Sequence, residues 1–299
     1  MSILVVGSVA LDSIKTPLAR CRDVLGGSAT YFSMAARHFS PVSLVAVVGT
    51  DFPAGYARLL ERKGIDTSGL MYEKGKTFRW EGEYGWDFQN PKTIATHLNV
   101  FSHFNPSISA RHKKCRNVFL ANIDPRIQEA VRSHIKSPRL VACDTMNYWI
   151  ESKRSRLVHL LKKMDIFFLN ESEARELTGE SSIVKAAKYI RRMGPQAVII
   201  KKGEHGSLLF ADNYVFSVPA YLLENLYDPT GAGDTFAGAV MGCLAGAKRL
   251  NRRALKMAVV YGTIMSTFAV ESFSLKRLAS VTKSDIEKRL RLFRKLTLF

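Results

Sequence analysis

Cysteine is scarce and scattered in this chain: the four residues, Cys21, Cys115, Cys143 and Cys243, lie far apart. No two have the close spacing of a zinc knuckle or a redox motif, which leaves reduced thiols as the reading. Long apolar runs are missing as well, and none approaches the roughly 18 residues of a membrane-spanning helix. The opening Ser2-Ile3-Leu4-Val5-Val6-Gly7 lacks a basic start and is too short for a secretion signal. It reads as a first buried strand, and the expected location is the cytoplasm. Internal repeats, low-complexity tracts and linkers are also lacking. Acidic residues are in deficit, 26 against 44 basic ones, for a formal net charge of +18. Such a field draws in phosphorylated small molecules as readily as polymers. Its densest parts are Arg111-His112-Lys113-Lys114-Cys115-Arg116, the Arg252-Arg253 pair, and the tail from Lys283 to Lys295. In the tail, basic residues alternate with Ile286, Leu290, Leu292, Phe293 and Leu296, the pattern of a solvated amphipathic helix. No zinc finger, recognition helix or aromatic-basic strand pattern accompanies the charge, so nucleic acid is not the expected partner.

What is present is enough apolar residue, 46% of 299, to bury a full core. Short β-branched runs recur at Ile3–Val6, Val42–Val48, Val118–Leu120, Leu140–Cys143, Ile166–Leu169 and Ala197–Ile200. Helix-like stretches lie between them, at Ala29–Phe39, Gly55–Lys63, Ile127–Ser133, Arg154–Lys163, Ser172–Leu177 and Ile183–Met193. This alternation predicts one α/β domain over residues 1–299, with a doubly wound, mostly parallel sheet and helices on both faces. Ligands of such sheets bind beyond the carboxyl ends of the strands. Residues 75–101 break the rhythm with a polar, aromatic, period-two pattern that includes Thr77-Phe78-Arg79-Trp80-Glu81-Gly82-Glu83-Tyr84. They read as a hairpin pair outside the main sheet, used either as a lid over the site or as a homodimer contact.

Two motifs invite misreading. Gly75-Lys76-Thr77 resembles the end of a phosphate-binding loop, but Leu70 stands where the first glycine is required, and a strand pattern follows. Gly203-Glu204-His205-Gly206 follows a strand but lacks the third glycine of a dinucleotide fingerprint.

The segment that carries chemistry is Asp228-Pro229-Thr230-Gly231-Ala232-Gly233-Asp234-Thr235-Phe236. Proline and two glycines break any helix here, whereas Asp234 onward favours one, so the segment reads as a turn opening into a helix. The first N–H groups of a helix have no internal partner and sit at the positive end of its dipole, so they can hold an anion. Gly231 and Gly233 let that anion approach the backbone, with Asp234 beside it as a base. At a helix N-terminus Asp234 is expected to stay ionised at neutral pH. An anion cradle next to a base is what phosphoryl transfer to a hydroxyl needs.

This run resembles the signature of the ribokinase (PfkB-type) family of sugar and nucleoside kinases. The resemblance extends in order along the chain. It implies Asp234 as general base, with the backbone N–H groups of Gly231, Ala232, Gly233 and Asp234 stabilising charge on the γ-phosphoryl. It implies ATP as donor, with Lys201, Gly203, Gly206 and Thr230 near the nucleotide. The family's threonine is replaced here by Lys201. Asn170 and Glu173 match the Asn-x-x-Glu pattern that organises Mg²⁺ and its waters, although the same spacing also suits a helix cap. Asp228 and Thr230 match positions that in some members help hold a monovalent cation such as K⁺, with Val270 to Ser274 nearby in the expected site.

Toward the start of the chain, Gly7-Ser8-Val9-Ala10-Leu11-Asp12 and Leu25-Gly26-Gly27-Ser28 resemble the acceptor-binding segments, which makes Asp12, Gly26 and Gly27 substrate residues and 12–25 part of the lid. Members often carry Asn where this chain has Tyr31. Asn122, Asp124 and Asp144 follow strands and either read hydroxyls or cap helices. The acceptor is expected to be a sugar or sugar-like polyol, or alternatively a nucleoside. A nucleoside would call for an aromatic platform, for which Tyr31, Phe32, Trp80, Trp86 and Phe104 are the candidates. A ligand- or polyanion-binding protein without activity is a remote third reading, since binding alone needs no base.

Overall fold

The computed structural model describes residues 2–89 and 91–298. Its strands in chain order are β1 (Ile3–Val6), β2 (Ala10–Lys15), β3 (Arg20–Gly26), β4 (Val42–Gly49), β5 (Ile65–Glu73), β6 (Arg79–Glu83), β7 (Lys92–His97), β8 (Asn117–Leu120), β9 (Leu140–Cys143), β10 (Ile166–Asn170), β11 (Ala197–Lys201), β12 (Ser207–Ala211) and β13 (Tyr214–Val218). The helices are α1 (Ser28–Ala36), α2 (Ala54–Arg62), α3 (Pro125–His134), α4 (Asn147–Leu161), α5 (Glu171–Thr178), α6 (Ile183–Arg192), α7 (Ala232–Gly246), α8 (Arg252–Val270), α9 (Lys276–Ser280) and α10 (Lys283–Thr297).

Nine strands form the central sheet in the order β13-β12-β11-β10-β9-β8-β1-β4-β5, parallel from β11 to β5 and closed at one side by the antiparallel β12 and β13. The parallel strands are apolar throughout because both faces are covered. Along β1, Ile3 and Val5 face the layer of α1, α7 and α8, while Leu4 and Val6 face the layer that includes α4 and α6. Strand order reverses between β1 and β8, so a crevice opens at their carboxyl ends. Ser8, Asn122, Asp144, Asn170 and Lys201 sit at or just past those ends.

The six expected strands and the helices between them are present, and the structure departs from the sequence reading elsewhere. Strand β5, the β12–β13 hairpin and helices α8 and α9 were not expected; solvent-facing residues dilute the apolar run in β5 and β13. Helix α4 begins at Asn147 rather than Arg154, with a kink at Lys153. In α10, Ile286, Leu290 and Phe293 are buried, whereas Leu292 and Leu296, expected on the same apolar stripe, are exposed.

A second, four-stranded sheet, ordered β3-β2-β6-β7, joins the two stretches expected to form the lid. The run from Thr93 onward stops being a strand at His97 and continues as a 3₁₀ turn over Asn99–His103. No helix among the described residues is long and apolar enough to cross a membrane.

Helix α7 is held in place by backbone contact with α1. A side chain on Gly238 would begin 2.3 Å from the Phe32 carbonyl oxygen, and one on Gly242 would begin 2.9 Å from that of Ala36. The close approach sets where the first turn of α7 points. Gly238→Val should therefore force the helices apart and lower stability by roughly 1–3 kcal/mol or more. Denaturant unfolding checks this, and an unchanged midpoint would contradict the packing.

Candidate active site

The turn before α7 adopts the conformation its composition suggests. Gly231, at φ 74°, caps the helix, and the ring of Tyr31 from α1 lies where a side chain on residue 231 would begin, 2.3 Å from that point. Glycine is required there on both counts. Asp234 in the first turn remains partly accessible, while the Ala232 N–H donates to the Pro229 carbonyl at 3.1 Å. Burial, followed by the charge of Asp144, pushes Asp234 up to about 7, against the pull of Lys201 and its own backbone N–H. This corrects the expectation that the helix terminus alone keeps it fully ionised: desolvation and a like charge outweigh the dipole.

Lys201, at the end of β11, is the charged link across the crevice. Its Nζ donates to Asp144 Oδ2 at 2.7 Å and lies 3.1 Å from where a side chain on Gly233 would begin. Burial works against its charge, but Asp144 and then Glu173 outweigh that and hold the ammonium above its ordinary range. Lys201, rather than Lys202, therefore faces the α7 turn, while Lys202 approaches Glu171 at 4.0 Å. Asp144 is engaged by this pair and by the Thr145 N–H.

Asn170 and Glu173 form a reciprocal cap on α5: Asn170 Oδ1 accepts from the Glu173 N–H at 2.8 Å, and the Glu173 carboxylate accepts from the Asn170 N–H at 2.6 Å. The capping reading of this spacing is thus realised. Glu173 is nonetheless buried and raised to about 7, chiefly by desolvation and then by Asp144, with Lys201 opposing. Asn122 Oδ1 accepts from Trp149 Nε1, and Asp124 caps α3 and pairs with Lys153 at 2.5 Å. Of the two readings for Asp124, the helix cap is the one observed.

On the β1 side, Asp12 is buried and packed over Gly26, whose missing side chain leaves room for the carboxylate: a Cβ there would fall 1.8 Å from Oδ2. Burial, then the charge of Asp228, raises Asp12 to about 7, against a hydrogen bond from the Gly27 N–H, with Asp234 adding to the rise. Asp12, Gly26 and Gly27 thus meet each other and share the electrostatic field of Asp228 and Asp234. Asp228 is itself buried and raised by burial to about 6, although it accepts from Thr230 and from the Ser274 N–H. Its N–H bonds to the Val270 carbonyl, and its Oδ2 has no partner. The Val270–Ser274 segment therefore does lie beside Asp228.

Gly203 and Gly206 both have positive φ and shape the turn between β11 and β12. Two contacts tie the small sheet to this machinery. Thr230 Oγ1 donates to the Tyr84 hydroxyl at 3.1 Å, and Gln89 Nε2 donates to Glu204 at 3.0 Å. The first was missed at the sequence level, although the period-two run Trp80-x-Gly82-x-Tyr84 carried the signal. Tyr31, expected either as a departure from the family's Asn or as an aromatic platform, has a buried hydroxyl without a partner that lies within the field of Asp228, Asp12, Tyr84 and Asp234. Two open surface hollows, about 510 Å³ beside Asp66 and Arg111 and about 460 Å³ beside Phe216 and Lys256, contain none of these groups.

With this geometry in view, comparison with known proteins is specific. The pfkB family carbohydrate kinase profile matches residues 116–274, and the chain belongs to that family. The chain is 29% identical over 254 residues to a cytidine kinase of Thermococcus kodakarensis, covering 83% of this chain and 89% of that one. Its fold resembles the nucleoside kinase of Methanocaldococcus jannaschii, TM-score 0.78 at 21% identity, covering 97% of this chain and 98% of that one. It also resembles a putative ribokinase II from E. coli in complex with ATP and Mg²⁺, TM-score 0.77 at 19% identity, covering 97% and 99%. The chain is thus an ATP-dependent kinase of the carbohydrate kinase family.

Because Asp144 is almost fully buried, Lys201→Met should leave its charge unpaired and cost about 3 kcal/mol. Urea unfolding of the two proteins tests this, and a loss of only a few tenths of a kcal/mol would show that the pair is solvated.

Proposed function

We propose that this protein transfers the γ-phosphoryl group of ATP to a hydroxyl of a sugar or nucleoside, with Asp234 as the general base. The observation that carries the reading is Asp234 in the first turn of α7, directly after the Gly231-Ala232-Gly233 anion turn and in the field of Lys201 and Asp144. The N–H groups of Gly231, Ala232, Gly233 and Asp234 would hold the charge that develops on the transferred phosphoryl. Lys201 would lie along the phosphates as a point charge, while Gly203, Gly206 and Thr230 shape the nucleotide side. Asp12, with Gly26 and Gly27, would grip the acceptor's hydroxyls. Asn122 and Asp144 border the same crevice, with Asp144 acting through Lys201.

The donor set suits magnesium. Mg²⁺ is usually held by few carboxylates, water and phosphate. Glu173, braced by Asn170, would hold its waters, and the ion would neutralise charge on the phosphates when bound. Asp228, with one buried unpartnered oxygen, suits a monovalent cation such as K⁺.

The β3-β2-β6-β7 sheet would act as a lid, excluding water around the transferred group. Tyr84 on Thr230 ties that closure to the anion turn.

Asp234 must be ionised to accept the acceptor's proton, so protonation below its value of about 7 removes activity. The expected kcat/KM of the free enzyme rises about tenfold per pH unit below neutrality and levels off above it. Asp234→Asn should lose about 100-fold or more in kcat at pH 8 while unfolding like the parent. A flat profile from pH 5 to 8, or an Asn variant with parental turnover, would remove Asp234 from this role.

A further inference from the structure

The phosphoryl-transfer site leaves the outer edges of the central sheet, β5 and β13, unused. Exposed edge strands are normally guarded by charge, proline or bulges, because their open backbone groups invite another strand. Strand β5 is guarded in this way: it contains Asp66 and Glu73, and its register against β4 shifts between Ser43 and Val45. Strand β13 has no such guard. Tyr214-Val215-Phe216-Ser217-Val218 carries no charge and no proline, and it runs along β12 in unbroken register. Every second residue of such a strand turns its N–H and C=O away from its neighbour. Among the described residues, no hydrogen bond from outside the β12–β13 hairpin reaches this strand. Val215 on it is 54% exposed.

The chemistry beside this edge is cationic. Arg252, Arg253 and Lys256, from the first two turns of α8, line the hollow of about 460 Å³ together with Phe216 and Met257. Arg252 lies over the Tyr214 ring at 4.0 Å and Lys256 over the Phe216 ring at 4.8 Å, so both charges are held against the strand. Among the described residues none of the three cations is in an ion pair. The charge of Asp212 in the hairpin turn reaches Tyr214 without pairing with any of them. Arg252 and Val270 stand at opposite ends of α8, about 27 Å apart at 1.5 Å per residue. The Val270 carbonyl is the end that meets Asp228, so the cationic rim is remote from the reacting groups.

We infer that β13 is a docking edge for an extended acidic segment of a partner protein. The segment adds as a further strand, with backbone bonds to β13, an apolar side chain in the hollow, and carboxylates on Arg252, Arg253 and Lys256. A second copy of the chain fits this edge poorly. Pairing β13 with β13 about a two-fold axis would bring two sets of the same cations together, and the chain's own acids are outnumbered 26 to 44. The inference is independent of the acceptor and of catalysis.

Fluorescence anisotropy tests this on the full chain at physiological salt, with the labelled peptide Asp-Val-Phe-Val-Asp-Val-Glu as probe. Its alternation sets the acids and the phenylalanine on one side of an added strand. Saturable binding at micromolar concentration is expected. Arg252→Glu combined with Lys256→Glu should weaken it about tenfold or more, since both contacts become repulsive. A peptide with lysine at every acidic position should not bind. One with proline as its central residue keeps the charge but cannot complete the ladder, and it should lose most of the affinity. No binding of the acidic peptide, equal binding of the proline peptide, or an unchanged affinity in the double variant would overturn the inference. If the double variant does not fold, the lysine and proline peptides decide on the parent protein alone. Tighter binding of an oligothymidylate of equal charge would also overturn it, by assigning the rim to nucleic acid. So would parent dimers in sedimentation that Val215→Asp disrupts, since the edge would then belong to a second copy.

Discussion

The site depends on one constraint: the backbone of α7 pressed against α1, with the Tyr31 ring seated on Gly231. That contact sets where the first turn of α7 begins, beside Asp234 and within reach of Lys201. Glycine at 231 allows the left-handed turn and also leaves room for the ring. Glycines at 238 and 242 then let the helix bed onto the α1 backbone. A preorganised row of N–H groups acts on developing charge without reorganising as the reaction proceeds, which is where most of the acceleration in phosphoryl transfer is expected to arise.

Around that terminus the electrostatics are unusual for so basic a chain. Asp12, Asp228, Glu173 and Asp234 all sit well above the ordinary carboxylate range, each with burial as its first cause. Lys201, which joins the Asp144 side of the crevice to the Gly233 turn, opposes the rise of Glu173 and Asp234. Such a site is poorly satisfied by itself. Under the proposed reaction it would gain from an incoming hydroxyl that donates to Asp12 and Asp234, and from cations that arrive with the phosphates. The +18 surface lies outside this arrangement and suits the attraction of a polyphosphate toward it.

Much of this was legible in the residues. Apolar runs buried on both faces located six parallel strands, and the helix-breaking turn before Asp234 located the anion site, because each depends on local composition. Contacts between distant segments were not legible. Nothing near Lys201 announces Asp144, 57 positions away, as its partner. The rise of Asp234 to about 7 is a property of the packed crevice, whereas the helix terminus alone argued for a fully ionised group. Asn170 and Glu173 fit a metal-organising role and a cap equally well by spacing, and the coordinates realise the cap.

The most direct test of the central claim is ³¹P NMR of the protein mixed with MgATP and a nucleoside or sugar. The account predicts ADP and a phosphomonoester of the acceptor appearing in equal amounts. ADP accompanied only by inorganic phosphate, or ATP left intact with every sugar and nucleoside tried, would contradict it.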